Sequence, residues 1–542
     1  MSTRDTVVGA PSGGGRAEAA RAPRGARLLG ILWGDAVLWI SLAAVLAGAT
    51  FLRLFDIGAV GYNSDEAVYA GQGAAIAGDP ALEPYFPIFR AHPLLFQSIV
   101  SIGYHLGQGE LFGRILAAVL GVATVFLVYR TGGLLYGRKA GLYAALFLAL
   151  MPYHVLVTRQ VLLDGPMVFL ATLTLYLIAR YATSGRVGWL YAAGAGMGLT
   201  FLTKETSILL LGALYAFFSL APQMGARVRH YVGALAVMAL VIAPFPLSLM
   251  IAGRTETGQN YLAWQLFRRP NHGWDFYASV VPEAIGFVVI VVALAGLWLL
   301  RRERSWRETL LLCWIVVPVA FFELWPVKGF QYLLPVAPAV AILAGRTLGR
   351  LPQSGPSRRA DGARVFLSES RLQWLRGGTA LAGIAVAVTL LVPTWQRIQP
   401  ATAGTFLAGS GGVPGGRETG HWIDRNVPKG AVMLTIGPSM ANLVQFYGHR
   451  KAYGLSVSPN PLHRNPAYEP VPNPDLMIRS NELQYIVWDS YSADRSSFFS
   501  RNLLRYADRY HGRVVYTYSL PAKTKDGKTT TTPAIVLYEV RP

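Results

Sequence analysis

Apolar runs separated by short polar turns dominate the chain as far as Pro393, at about 36–54, 111–129, 140–157, 166–182, 187–203, 206–222, 231–250, 283–300, 308–325, 330–346 and 377–393. Roughly twenty apolar residues in a helix span the hydrocarbon core, so the pattern predicts about eleven transmembrane helices. A further run, 92–106, is shorter and is interrupted by Gln97, Ser98, Gly103, Tyr104 and His105. The pattern changes after Pro393. Apolar runs shrink to strand length at Ala431–Ile436, Tyr485–Trp488, Val514–Tyr518 and Ala534–Val540, interleaved with helical stretches at 416–426, 438–447 and 495–510. The fold class expected is a polytopic α-helical membrane protein, with residues 35–394 as its membrane body. Residues 395–542 form a C-terminal extracytoplasmic α/β domain.

Charge decides how the ambiguous run is placed. If 92–106 lies flat at the interface, Arg138-Lys139, Arg186, Arg227 with Arg229, the Arg301–Arg307 cluster and the Arg-rich stretch 346–376 all fall on the side of the basic N-terminus. If it crosses, these clusters divide between the two sides. The positive-inside bias selects the interfacial helix and a cytoplasmic N-terminus. The same parity puts the loop 53–110, residues 158–165, Lys204-Glu205, the loop 251–282, Pro326–Gly329 and everything after 393 outside.

Composition agrees with a membrane body. Hydrophobic residues make up 53% of the chain and charged residues 14%, too apolar a balance for a soluble globule. The net charge of +20 is spread over short inter-span clusters, so it reads as topology and not as a nucleic-acid surface. The single cysteine, Cys313, excludes an intramolecular disulfide. Residues 1–34, rich in Gly, Ala and Arg at their start, are expected to be a disordered cytoplasmic tail and not a signal peptide.

Chemistry-bearing residues gather on the outer side. In Asn63-Ser64-Asp65-Glu66, Asn63 and Glu66 have the spacing of a capping box, and acids in a first turn suit the helix dipole. Asp65, Tyr69 and Gln72 share one helix face, so the same segment offers Asp65 as a base. Asp164, before Gly165-Pro166, is either a helix cap or a second acid. Arg159 lies outside, against the topological bias, and calls for an anionic partner: a lipid phosphate or Asp164. Lys204-Glu205 and Lys328 stand at span ends, where a snorkelling anchor is the plain alternative. Arg254, Arg268 and Arg269 share the longer outer loop with Tyr261, Trp264, Trp274 and Tyr277, aromatics that suit either a membrane belt or sugar stacking.

Carboxylates beside isolated cations at a membrane surface match a phosphate-bearing lipid and a neutral hydroxyl. Glycosyl transfer from a lipid phosphate needs cations for the leaving charge and one base for the acceptor, but no general acid. A single displacement inverts the anomeric carbon.

The pair Asp65-Glu66, then His92-Pro93-Leu94, Arg159 with Asp164, Lys204, and the stretch from Lys328 to Tyr332-Leu-Leu-Pro335 together resemble the GT-C glycosyltransferase superfamily. The branch is that of the protein O-mannosyltransferases and the bacterial lipid A aminoarabinose transferases. The likeness covers about residues 35–350. It implies a polyprenyl-phosphate sugar donor, a hydroxyl-bearing acceptor and a bilayer as partners, with no nucleotide and no nucleic acid. It further implies Asp65 as base, Glu66 shaping the site and Asp164 as a second acid. Arg159, Lys204 and Lys328 would bind the donor phosphate, and Tyr69, His92, Glu205 and Tyr332 would contact substrate. The family often shows His-Pro-Pro where this chain has His92-Pro93-Leu94-Leu95. No cluster has metal-site spacing and no cofactor is required, although a divalent cation on Asp65, Glu66 and Asp164 is compatible with some relatives. A transporter or flippase, suggested by span number, and a non-catalytic envelope sensor are the other classes. Transporters favour internal repeats and midplane charges, whereas here polar residues sit at span ends on one side.

Overall fold

The computed structural model describes residues 24–88, 92–268, 270–350, 369–400, 412–523 and 529–542. The expectations for 1–23 and for most of the polar stretch 351–375 therefore lie outside the described residues, as does Arg269. Residues up to Ala44 form one unit, described as the N-terminal part of the helix Arg24–Leu54, and Val45–Pro542 form a second, compact unit.

Six described helices are long and apolar enough to cross a bilayer: Ala36–Leu54, Gly109–Tyr136, Asp164–Ser184, Val228–Ile251, Phe330–Arg350 and Gly377–Ile398. The other expected spans are shorter, bent or more charged, each for a local reason. The run 140–157 divides at Pro152, which cannot donate a backbone bond and so starts a second helix, Pro152–Val157, after Arg138–Leu150. The run 283–300 bends by 91° between Phe276–Ile285 and Phe287–Leu299. Gly286 lies there at φ 95, a conformation open to glycine. Trp306–Leu324 is long enough but carries Arg307, Glu308 and Glu323 at its ends. Val187–Thr203 and Glu205–Leu220 are shorter apolar helices. The ambiguous run becomes the helix Leu95–His105, too short to cross.

Helix Phe330–Arg350 is the centre of the bundle, with 94% of its apolar window buried. It gets there through small residues. A Cβ on Gly345 would lie 2.4 Å from the Ala140 carbonyl oxygen, and one on Gly349 would lie 2.7 Å from Ala140 N. Such close backbone approach is how helices associate where lipid removes the hydrophobic difference between burial and exposure. At one end of this helix, Arg346 Nε pairs with Glu308 Oε1 at 2.9 Å, both side chains 2% exposed. Arg346 also donates to the carbonyls of Gly296 and Leu300, tying three helices together.

The C-terminal stretch holds a five-stranded sheet in the order β2-β1-β3-β5-β4, with β1 Val432–Thr435, β2 Lys451–Gly454, β3 Tyr485–Asp489, β4 Arg513–Lys523 and β5 Thr529–Glu539. Strands β2, β1 and β3 are parallel, with Met433 opposite both Ala452 and Tyr485. Strand β5 is antiparallel to β3 and β4. Strand β2 is absent from the sequence reading because four residues, Lys-Ala-Tyr-Gly, carry too little apolar pattern. Helices Gly416–Asn426, Pro438–Gly448 and Ser497–Arg509 match the expected ones closely, and Ser490–Arg495 is a separate short helix ahead of the last.

Replacing Arg346 by Ala strands the Glu308 carboxylate in the bundle, at a cost of about 3–5 kcal/mol. We expect thermal unfolding of the detergent-purified variant at a clearly lower temperature than the parent. An unchanged midpoint would mean that the pair does not hold the bundle.

Candidate functional site

The loop 53–110 is organised by one carboxylate. Helix Ser64–Ile76 starts at Asn63, whose side chain accepts from Glu66 N at 2.9 Å while Glu66 Oε2 accepts from Asn63 N at 3.1 Å, so the capping box forms. The same Glu66 carboxylate accepts from Arg114 Nε at 2.8 Å, from Arg114 Nη2 at 2.9 Å and from Val161 N at 3.0 Å. At 2% exposure, all of its acceptor positions are taken by protein. Arg114 spends its remaining donors on the carbonyls of Ile57, Val60 and Gly61. Glu66 therefore holds the loop to the helix Gly109–Tyr136 and to the turn before Asp164. Asp65, its neighbour, is half-buried on the first turn of the same helix.

One turn further on, Tyr69 is the common neighbour of the acids. Burial raises its hydroxyl pKa well above the ordinary value, and the charges of Asp65, Asp164 and Glu205 and the Tyr261 hydroxyl push the same way. Tyr69 thus stays a protonated hydroxyl, able to donate. Gln72, on the same face, is buried and accepts from Gln97 at 3.1 Å.

Asp164 does not cap its helix, since the N-cap position is Leu163 and no side-chain cap is made. It accepts instead from Lys204 Nζ at 2.7 Å, both groups buried, and that ammonium lies 5.1 Å from the centre of the Tyr332 ring. The next residue, Glu205, meets His92: Nδ1 is 2.8 Å from Oε2. Tyr261 donates to the other oxygen of Glu205 at 2.9 Å and accepts from Gln265 Nε2 at 2.6 Å. The His92 ring stands edge-on to Tyr69 at 6.1 Å and to Tyr261 at 5.3 Å. Asp65, Tyr69, His92, Asp164, Lys204, Glu205 and Tyr332, scattered over the chain, thus form one linked set.

Arg159 and Lys328 have other surroundings. Arg159 donates to the carbonyls of Leu52 at 2.7 Å and Phe55 at 2.6 Å, closing the C-terminal end of the first helix, where the dipole attracts a cation. Among the described residues, its partner is neither Asp164 nor another carboxylate at salt-bridge distance. Burial, with the nearby Arg114, brings its pKa down to about 10. It lines a cavity of about 330 Å³ with Asn63, Arg114, Gln160, Arg397 and Arg417, on the Glu66 side of the loop. Lys328 is 4% exposed; Nζ donates to the Glu323 carbonyl at 2.5 Å and lies 3.3 Å from its carboxylate, between the rings of Trp274 and Tyr277. In the segment 251–282, Arg268 stacks on Trp264, with its guanidinium 4.3 Å from the ring centre.

Arg114 and Gln265 are residues that sequence reasoning missed, and Tyr261 it read as a belt or sugar-stacking aromatic without its bond to Glu205. Arg114 was hidden as a lone cation inside a span. Tyr261 and Gln265 are an i,i+4 pair, a signal that only their meeting with Glu205 distinguishes from chance. Among the described residues, no three His, Cys, Asp or Glu side chains are grouped to hold a metal ion. The divalent cation weighed for Asp65, Glu66 and Asp164 does not fit their surroundings, because Glu66 is saturated and Asp164 is paired with Lys204.

The C-terminal stretch reaches the same loop. Asn442 donates to Ser64 Oγ at 2.9 Å, Tyr62 N donates to Tyr447 Oη at 2.9 Å, and Arg417 donates to the Gly58 and Ala59 carbonyls. Tyr491 is pushed up to about 12 by burial, opposed by Arg495 over its ring and assisted by the Asp65 charge. Asp65 thus lies where the first loop faces the C-terminal stretch.

Comparison with known proteins follows this geometry. Residues 91–248 match the model of the dolichyl-phosphate-mannose-protein mannosyltransferase family. The undecaprenyl phosphate-alpha-4-amino-4-deoxy-L-arabinose arabinosyl transferase 1 of Sodalis glossinidius is 29% identical over 387 residues, 67% of this chain and 66% of that protein. The corresponding transferase of Serratia proteamaculans is 28% identical over 250 residues, 43% of this chain and 44% of that protein. The alignments thus span about half to two thirds of these relatives' own lengths. ArnT from Cupriavidus metallidurans, solved in the apo state, superposes with a TM-score of 0.66 at 17% identity, covering 94% of this chain and 98% of that one. Its undecaprenyl phosphate-bound structure superposes equally well. The chain is a multi-pass membrane protein with the fold of the GT-C glycosyltransferases.

Proposed function

We propose that this protein is an inverting glycosyltransferase that moves a sugar from a polyprenyl-phosphate donor to a hydroxyl acceptor on the outer face of the plasma membrane. The observation that carries the reading is the convergence on Tyr69 of Asp65, the Asp164–Lys204 pair and the His92–Glu205 pair. The acceptor oxygen attacks the anomeric carbon, its proton passes to the Asp65 carboxylate, and the bond from that carbon to the phosphate oxygen breaks. Polyprenyl phosphate leaves with the bonding electrons. Lys204 and His92 offset the charge that builds on the leaving phosphate, and the protonated Tyr69 hydroxyl donates to substrate oxygen. Asp164 keeps Lys204 in place. Glu66 is a positioning residue in this scheme, as is Arg159, while Lys328 is held by Glu323 beside Trp274 and Tyr277.

The family match and the arabinosyl transferase relatives support this class of reaction. Those relatives are named for 4-amino-4-deoxy-L-arabinose on undecaprenyl phosphate, so a pentose of that class is the donor to test first, with hexoses second. Adding the two shorter apolar helices, the bent pair, Arg138–Val157 and Trp306–Leu324 to the six long helices brings the crossings to about eleven. With a cytoplasmic N-terminus, that number leaves residues 395–542 outside as a domain covering the first loop.

Replacing Asp65 by Asn removes the base and keeps the shape. Transfer of labelled sugar from undecaprenyl phosphate should fall by about 10²–10⁴-fold with the thermal midpoint unchanged. A variant that turns over at the parental rate would rule Asp65 out as the base. Glu66→Gln should behave differently, because it leaves the Arg114 guanidinium without its counter-charge, a loss of about 3–5 kcal/mol. Thermal midpoint and transfer should drop together, and a stable but inactive Glu66→Gln protein would put Glu66 in the chemistry instead.

A further inference from the structure

The helices Val187–Thr203, Leu209–Leu220 and Val228–Ile242 leave a groove of about 800 Å³ between them. Its cause is local. A Cβ on Gly194 would lie 2.3 Å from the Ala234 carbonyl oxygen, so the first and third of these helices touch backbone to backbone. The middle helix packs on Trp306–Leu324 instead and leaves a gap beside them. The lining is almost entirely apolar. It opens outward past Ile208, Tyr215 and Leu235, which are 43%, 77% and 45% exposed. In a multi-pass membrane protein such a surface faces hydrocarbon, so its occupant is an apolar chain from the bilayer.

Depth and charge narrow that chain to one kind of lipid. The groove runs from Leu190 to Met197 and from Tyr231 to Met238, about 10 Å along each helix at the rise of an α-helix. On the middle helix it runs from Ile208 to Ser219, about 16 Å. Half of a hydrocarbon core is about 15 Å, so the groove has the length of one leaflet. On Val187–Thr203 it occupies the half that lies away from Lys204-Glu205. Ser219 and Tyr231 close that end. Tyr231 Oη accepts from Ala226 N at 2.9 Å, which holds the turn carrying Arg227 against the groove. Arg227 and Arg229 are exposed there, and among the described residues neither forms an ion pair. From Gly165 to Thr255 the only acidic residue is Glu205, at the opposite end of these helices. Two guanidinium groups over an apolar groove complement a lipid that is apolar along its chain and anionic at its head.

We propose that this groove seats an acyl chain of an anionic glycerophospholipid whose phosphate is held by Arg227 and Arg229. It is a lipid site separate from the reaction centre, and it does not rest on the donor reading above. A phospholipid chain of one leaflet matches the length of the groove. The tail of a polyprenyl-phosphate donor whose phosphate sits at Lys204 starts instead from the opposite end. Only the folded bundle forms the groove, so a lipid bound there stabilises the gap between the three helices.

The test titrates the purified full-length protein in detergent with dioleoyl phosphatidylglycerol, dioleoyl phosphatidylcholine or undecaprenyl phosphate and counts bound lipid by native mass spectrometry. The first two lipids share their chains and differ in charge. The parent should bind one phosphatidylglycerol about tenfold to thirtyfold more tightly than phosphatidylcholine, the preference that two guanidinium groups near a membrane surface supply. Arg227→Gln combined with Arg229→Gln should remove that preference. Leu235→Trp, at a position already exposed to lipid, should fill the groove and weaken both phospholipids while keeping their ratio. Undecaprenyl phosphate should not displace phosphatidylglycerol. Equal affinity of the parent for the two phospholipids, or a preference that survives the loss of both arginines, overturns the proposal. So does unchanged binding by Leu235→Trp, which would leave only diffuse attraction to surface charge. Displacement by undecaprenyl phosphate would give the groove to a polyprenyl chain and overturns it equally. If Leu235→Trp does not fold, the arginine variant, altered only at exposed positions, still decides.

Discussion

The Glu66–Arg114 pair is the constraint on which the loop 53–110 and the residues around it depend. A carboxylate at 2% exposure needs its surroundings to replace water, and here a guanidinium and two backbone amides do so. Each of those partners comes from a different part of the chain: the loop itself, the helix Gly109–Tyr136, and the turn before Asp164. The capping box thus does more than start a helix. It sets the direction in which Asp65, one residue earlier, must point its backbone.

Around that frame the charges are arranged in pairs. Asp164 has Lys204, Glu205 has His92, and Lys328 has Glu323. Paired in this way, acids and cations can share a partly buried pocket at tolerable cost, because neither sign is left uncompensated in a low dielectric. In the reaction proposed above, the donor phosphate competes with Asp164 and Glu205 for Lys204 and His92. The aromatic residues beside these pairs, Tyr332 against Lys204 and Tyr69 and Tyr261 against His92, exclude water and fix side-chain direction.

Much of this was legible in order along the chain. The apolar runs predicted where helices lie, and Pro152 and Gly286 carry the signals for the breaks that shorten two of them. The capping box was readable from Asn63 and Glu66 alone, since both bonds are local. The partners of Asp164 and Arg159 were not. Arg159 is five residues from Asp164, which suggested that they meet, yet it turns to the carbonyls at the end of the first helix. Asp164 takes Lys204, forty positions away. Strand β2 was missed because so short a strand is specified by its neighbour β1 rather than by its own pattern.

By itself, the sequence determined what depends on neighbours within a turn or two: helix-forming runs, caps and breaks. It also singled out residue types suited to phosphate and hydroxyl chemistry. Only the tertiary structure decided which of these residues meet. The Glu66–Arg114 ion pair and the Glu205–His92 hydrogen bond join positions far apart in the chain, and their formation depends on how helices pack. Small residues such as Gly345 and Gly349 allow that packing, but a glycine does not name the backbone that will approach it. The distinction between an acid that supports the loop and an acid beside the substrate is therefore a matter of burial and partners. Asp65 and Glu66, adjacent in the chain, differ in burial, the first half-buried and the second 2% exposed.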